Sequence, residues 1–211
     1  MEIEMLLSRN GSGETLRSVF IDTKRVFDAA EPMSPDIGIT GSTFRAYRNF
    51  SASPSVIYRK WVFSAGYSII NKHPVNDRKS FQFLHKKLLE SLVGEWDAEG
   101  LRKLSFSEQH KIIDLFVKAV AFRSGHPCEK ARYSLFQYGN IPLDKFSLLA
   151  MSELFYGVVV CPSPSMGHIR DKQTYDFLQD QIFMLTQSEN LPNLVFDHYA
   201  WNLTHPAVGK R

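Results

Sequence analysis

Cysteine is nearly absent from this 211-residue chain: Cys128 and Cys161 are the only two, with no CxxC spacing and no histidine pair close by. That excludes a disulfide framework and a structural zinc site, and both thiols are expected to be reduced. Long apolar runs are missing too. The longest, such as Val158 to Cys161, fall far short of the roughly 18 residues a membrane span needs, so no membrane partner is expected. The first residues, MEIEMLL, carry two glutamates where a secretory leader carries lysine or arginine, which makes cytoplasmic residence the expectation. The histidines are scattered and form no HxH, HxxxH or HExxH pattern, and no glycine-rich loop follows a strand. A metal site and Walker-type nucleotide hydrolysis therefore find no support, and no cofactor is expected. Fixed-period repeats and low-complexity tracts are also lacking.

What the chain does have is apolar and aromatic mass, 44% and 13% of residues, enough for a packed core over a single domain or two packed helical halves. Its net charge of +3 hides a local imbalance. Between Thr43 and Lys87 there are nine Lys or Arg against one acid, Asp77. Such polarisation suits an anionic partner, a nucleic-acid backbone in particular.

The spacing predicts an all-α fold of about eight helices, spanning residues 1–211 as one helical domain. Residues 1–12 read as an arm, and Leu16, Val19, Phe20 and Phe27 recur at helical spacing as far as Ala30. Prolines and glycines make 31–52 a loop-rich connector. Ser53 and Pro54 open a helix running to about Ile70. A further helix starts at Ser80, with Gly94 as its stop and His85 on or beside its polar face, and a short helical piece follows around Glu99 to Leu104. Ser105 and Glu108 match a capping box, and Ile113, Phe116, Val117 and Val120 form the stripe of a buried helix. Val158 to Val160 suggest a brief strand, stopped by Pro162 and Pro164. Asp171 caps a long helix, and LPNLVFDHYAWNL forms the last.

Two clusters carry candidate chemistry. In the basic segment Arg45, Arg48, Arg59, Lys60 and Trp61 interleave cations with rings, and Lys86 and Lys87 follow on the next helix. Cations can pair with phosphates while rings stack on bases; equally, the rings can be core and the charges a solvated face. The second cluster lies in RSGHPCEKARYSLFQYGNIPLDKFSLLAMSELFY, where Gly125 and His126 sit in a turn before Lys130. A lysine in the first turn of a helix feels the positive end of the helix dipole, which favours the neutral, nucleophilic amine. Asp144 stands where an N-cap is expected, and a carboxylate held there can also stabilise a developing cation or accept a proton. A plain cap and a solvated cation are the structural alternatives.

GHPCEKARYSLF, NIPLDKFSLLAM and YDFLQDQIFMLTQSENLPNLVFDHYAWN together resemble the C-terminal half of helix-hairpin-helix DNA glycosylases of the 8-oxoguanine type. The resemblance gives 105–205 the part of a helix-hairpin-helix-like half. In that family a lysine at the end of the hairpin forms a Schiff base with deoxyribose, an aspartate opens a later helix, and a closing helix ends near an aromatic. The positions that match are Lys130, Asp144 and Trp201. Here the glycine-rich hairpin is reduced to Gly125, and there is no iron-sulfur cysteine cluster. The resemblance implies excision of a modified base flipped from DNA, a hydrolase or lyase reaction without metal or organic cofactor. The alternative is a non-enzymatic helical module that binds a protein or a nucleic acid.

Overall fold

The helix capped by Ser105 carries an apolar stripe, Ile113, Phe116, Val117 and Val120, that has to be covered, and none of its residues is exposed. The computed structural model, which describes residues 15–39, 43, 53–99, 102–155 and 163–205, places it at the centre of the fold. Among these residues eight helices occur and no strand. They are α1 (Leu16–Asp28), α2 (Pro54–Trp61, continuing through a π-helical turn at Val62–Gly66 into Tyr67–Lys72), α3 (Arg78–Ala98), α4 (Phe106–Phe122), α5 (Arg132–Tyr138), α6 (Lys145–Leu154), α7 (Lys172–Ser188) and α8 (Val195–Thr204). One continuous core cluster takes side chains from Leu16 to Ala200, so the helices share a single core and do not divide it into halves.

Helix starts follow local chemistry. Thr15 with Ser18, Asp77 with Ser80, Ser105 with Glu108 and Asp144 with Ser147 form reciprocal capping boxes at α1, α3, α4 and α6, and Asp171 caps α7. Each satisfies amide donors that the first turn of a helix leaves without partners. Gly94 does not stop α3. Nothing lies within 4 Å of where its Cβ would be, and the helix runs on to Ala98: a lone glycine weakens a helix without ending it when no αL turn follows. The helical piece expected around Glu99 to Leu104 is also corrected, because Arg102–Leu104 are not helical. There the Arg102 carbonyl accepts from Trp96 Nε1 at 3.1 Å, tying the end of α3 to the approach to α4. Val158 to Val160 lie outside the described residues.

Around Phe116 the rings of Tyr58, Trp61 and Tyr67 pack at centroid distances of 6.5, 5.2 and 5.7 Å. The π turn of α2 brings Gly66 so close that a Cβ there would stand 3.1 Å from the Phe116 ring. At the far end of α4, Phe27, Phe122 and Phe136 form a second aromatic cluster. Beside it Arg132 donates to the carbonyls of Ala121 and Phe27. The connector after α1 is fastened to the same end: Ser124 N–H donates to Glu31 O and Met33 N–H to Ser124 O, both at 2.9 Å.

Trp61 is fully buried, and its Nε1 donates to Ser91 Oγ at 3.1 Å. Stacking on a base is therefore closed to it unless the core opens. Trp61→Ala should cost about 3 to 5 kcal/mol, measured as a loss in urea-unfolding free energy, whereas Trp61→Phe should cost much less.

Candidate functional site

The structure scatters the residues singled out from the sequence. Arg45 and Arg48 lie outside the described residues. Lys60 bridges Glu95 and Glu99 of α3 at 2.8 and 2.6 Å, and hydrogen bonds to these two carboxylates hold its ammonium above the ordinary lysine range. Lys86 and Lys87 both face Glu90, at 3.8 and 2.9 Å. Arg59 is half-buried. Four of the nine cations of 43–87, Lys60, Arg78, Lys86 and Lys87, thus face acids further along the chain. His126 is a buried scaffold ring: Nε2 lies 3.0 Å from Val120 O, and Nδ1 accepts from the Cys128 amide at 3.1 Å. Gly125 takes φ +70, which a side chain would strain. The Cys128 thiol is buried against Tyr67 O, and burial pushes it up to about 12.

Lys130 sits not in the first turn of a helix but in the exposed 3-10 turn Glu129–Ala131 that precedes α5. Asp144 caps α6 as expected, accepting from the amides of Phe146 and Ser147 at 2.9 and 3.2 Å. Its nearest cation is Lys111 of α4, at 3.6 Å. Lys111 stands eleven residues, about 16 Å of helix, before Phe122, and the turn carrying Lys130 comes only after that end of α4. Among the described residues no hydrogen bond or ion pair joins Lys130 to Asp144.

What does gather around Asp144 is a groove of about 210 Å3 between α4, α6 and α8, with Lys118, Phe146, Asp197, His198 and Trp201 on its walls. Lys118 pairs with Asp197. His198 stacks on Phe122 at 5.1 Å, and burial lowers its pKa from the ordinary histidine value. Trp201 is 54% exposed, packs edge-on against Phe146 at 5.6 Å, and stacks on His205 at 3.9 Å.

A second constellation, absent from the sequence reading, lies between α3, α4 and α7. Asp114, on the buried helix α4, is 0% exposed. His85 Nε2 stands 3.0 Å from its Oδ1, and the Tyr175 hydroxyl reaches both of its oxygens at 2.9 and 2.8 Å. Asn140 Nδ2 donates to the Tyr175 oxygen at 2.8 Å, and Arg78 Nη1 donates to Asn140 Oδ1 at 2.6 Å. Burial raises the Asp114 carboxyl above the ordinary range, against the pull of the His85 bond, and burial next to Asp114 raises the Tyr175 phenol well above its own. His110 packs against Tyr175 and Phe106 at 4.1 and 4.2 Å. Burial, with His85 and Lys172 nearby, lowers its pKa to about 3. The expected solvent-facing place of His85 is corrected by this network: its ring turns inward because a buried carboxylate needs a partner. No group of three or more metal-ligating side chains occurs among the described residues.

The His110 shift fixes a pH dependence. In the unfolded chain this imidazole takes up a proton near pH 6.5, whereas in the fold it stays neutral down to about 3. Between those values the unfolded state binds the extra proton, so stability falls as the pH drops through that window, by at most about 1.4 kcal/mol per pH unit from this group. In His110→Gln the acid-side slope of unfolding free energy should be shallower by up to one proton, and equal slopes in the two proteins would remove the assignment.

The chain matches no family model, no curated protein and no solved structure.

Proposed function

We propose that the groove between α4, α6 and α8 receives a nucleobase of a single-stranded or base-flipped nucleic acid, and that this helical protein works as a nucleic-acid-binding protein. The observation that carries the reading is Trp201, an indole 54% exposed on the wall that also carries Asp144. A ring presented to solvent beside a carboxylate and two lysines offers a stacking face for the base and polar groups for the sugar and phosphate. Asp144 is held at the mouth of α6 by two backbone amides, so its charge is fixed in place and ready to face a cationic sugar.

Base excision is the reaction such a groove would serve. A neutral lysine amine would attack C1′, and the base would leave with the glycosidic electrons and take up a proton. Ring opening would then give an imine between the lysine and the sugar. Lys111 and Lys118 are the lysines within reach of the groove's carboxylates, and both are ion-paired. An amine held by a carboxylate has to leave that partner before it can attack. That favours binding without chemistry as the second reading, unless the ligand displaces Asp144 or Asp197.

Trp61 and Trp96 are buried, so quenchable tryptophan emission reports on Trp201. A single-stranded oligonucleotide should quench it, and Trp201→Ala should weaken binding by about 1 to 3 kcal/mol, roughly five- to 150-fold. Unchanged affinity in Trp201→Ala would remove the groove from the binding site. Borohydride trapping on oligonucleotides carrying damaged bases separates the two readings. An adduct abolished by Lys111→Gln, Lys118→Gln or Lys130→Gln identifies the nucleophile, and no adduct alongside intact binding leaves the non-enzymatic module.

A further inference from the structure

Among the described residues two buried side-chain polar atoms have no hydrogen-bond partner, Arg78 Nε and His110 Nδ1, and both residues line the same cavity of about 450 Å3 between α3, α4 and α7. A buried donor left unpaired costs about 1 to 3 kcal/mol, so two at one cavity point to something that completes them. The volume is in the range of small-molecule pockets. The rest of the Arg78 guanidinium is already committed: Nη1 donates to Tyr138 O and Asn140 Oδ1 at 3.1 and 2.6 Å, and Nη2 faces Asp180 at 3.5 Å. Those bonds hold the group rigidly and leave Nε–H over. Lys86 and Lys172 also line the cavity, with Asp176 and Asp180, and Lys86 faces Glu90 at 3.8 Å. Each acid has its own cation, Asp176 with Lys172 and Asp180 with Arg78. Phe106 and the His110 ring supply an apolar, aromatic wall.

We propose that this cavity binds a phosphorylated small molecule, its phosphoryl oxygens accepting from Arg78 Nε–H and from the His110 ring in its Nδ1–H tautomer, with Lys172 at the rim. Arg78 contributes a fixed donor direction, and His110 contributes a neutral donor whose N–H is not competed for by any protein acceptor. The apolar wall takes the organic part of the ligand. Behind them, His85, Asp114 and Tyr175 fix the cavity floor, with Tyr175 and His110 in ring contact. The site lies on a different face of α4 from the Trp201 groove and does not depend on the function proposed for that groove.

Inorganic pyrophosphate is the probe, with acetate as the carboxylate counterpart. Side-chain nitrogen resonances of His110 should shift saturably with pyrophosphate and not with acetate. In calorimetric titrations Lys172→Ala should weaken pyrophosphate binding at least tenfold, His110→Phe should abolish it, and Trp201→Ala should leave it unchanged. His110→Phe also guards against a folding artefact. Phenylalanine removes an unpaired buried nitrogen, so that variant should be at least as stable as the parent while losing the ligand. No saturable shift at millimolar pyrophosphate, an equal response to acetate, parental affinity in Lys172→Ala and His110→Phe, or a loss in Trp201→Ala would each overturn the assignment.

Discussion

A carboxylate with no access to water sits in the middle of the central helix, and much of the packing is arranged to accommodate it. Asp114 occupies the buried face of α4 between Ile113 and Phe116, where an unpaired charge would cost more than most single core contacts supply. It is satisfied by His85 from α3 and Tyr175 from α7, so these helices are tied to α4 by direction as well as by apolar area. Tyr175 extends the chain of bonds to Asn140, and Arg78 completes it from the start of α3. Gln179, one turn along α7, exchanges two bonds with the backbone of Ile141. The short segment between α5 and α6 is thereby fixed in place, and with it the position of Asp144.

This explains why the fold was legible in the sequence and the polar centre was not. Capping boxes are local: Ser105 with Glu108, Asp171 at the start of α7 and Asp144 before Phe146 follow from residues two or three apart, and the apolar period of α4 identifies it as buried. The Asp114 network joins residues 29 and 61 positions apart. Nothing in a local window marks His85 as turned inward; on α3 it stands in a run with Lys86 and Lys87 and reads as part of a polar face. The one available signal was Asp114 itself, an acid between Ile112–Ile113 and Leu115–Phe116. A charge on the apolar stripe of a helix needs a buried partner, which a reading of stripes alone passes over.

The described part of the basic segment is less exposed as a field of positive charge than its sequence suggests, for a related reason. Net charge along the sequence counts the cations of α2 and α3 but not the acids that the fold brings back to them. Lys60 meets Glu95 and Glu99 because α2 packs on α3, and Lys87 meets Glu90 one turn away. These exposed pairs contribute little to stability. They weaken the field that these lysines would present to a polyanion, since opposite charges within a few ångströms leave little potential beyond a Debye length. Trp61, counted with those cations, is held by Phe116 and Ser91 in the core.

Two of the cavities along α4 differ in what they offer a ligand. Its Lys118 side opens on a groove whose ionisable groups are paired with one another, Lys111 with Asp144 and Lys118 with Asp197, and whose exposed feature is an indole. Its His110 side opens on a cavity whose floor is a satisfied network and whose lining residues Arg78 and His110 each keep one unpaired buried nitrogen. Paired charges beside an aromatic face suit a ligand recognised chiefly by stacking, because polar ligand groups would first have to displace an existing partner. Unpaired polar atoms suit a ligand recognised by its acceptors, because Arg78 Nε and His110 Nδ1 have no protein partner to give up. Replacing the whole Asp114 network by apolar side chains of equal volume would be neutral or favourable for stability on general grounds. Within it Arg78 is held by Asn140 and the Tyr138 carbonyl, and the Tyr175 ring packs against His110.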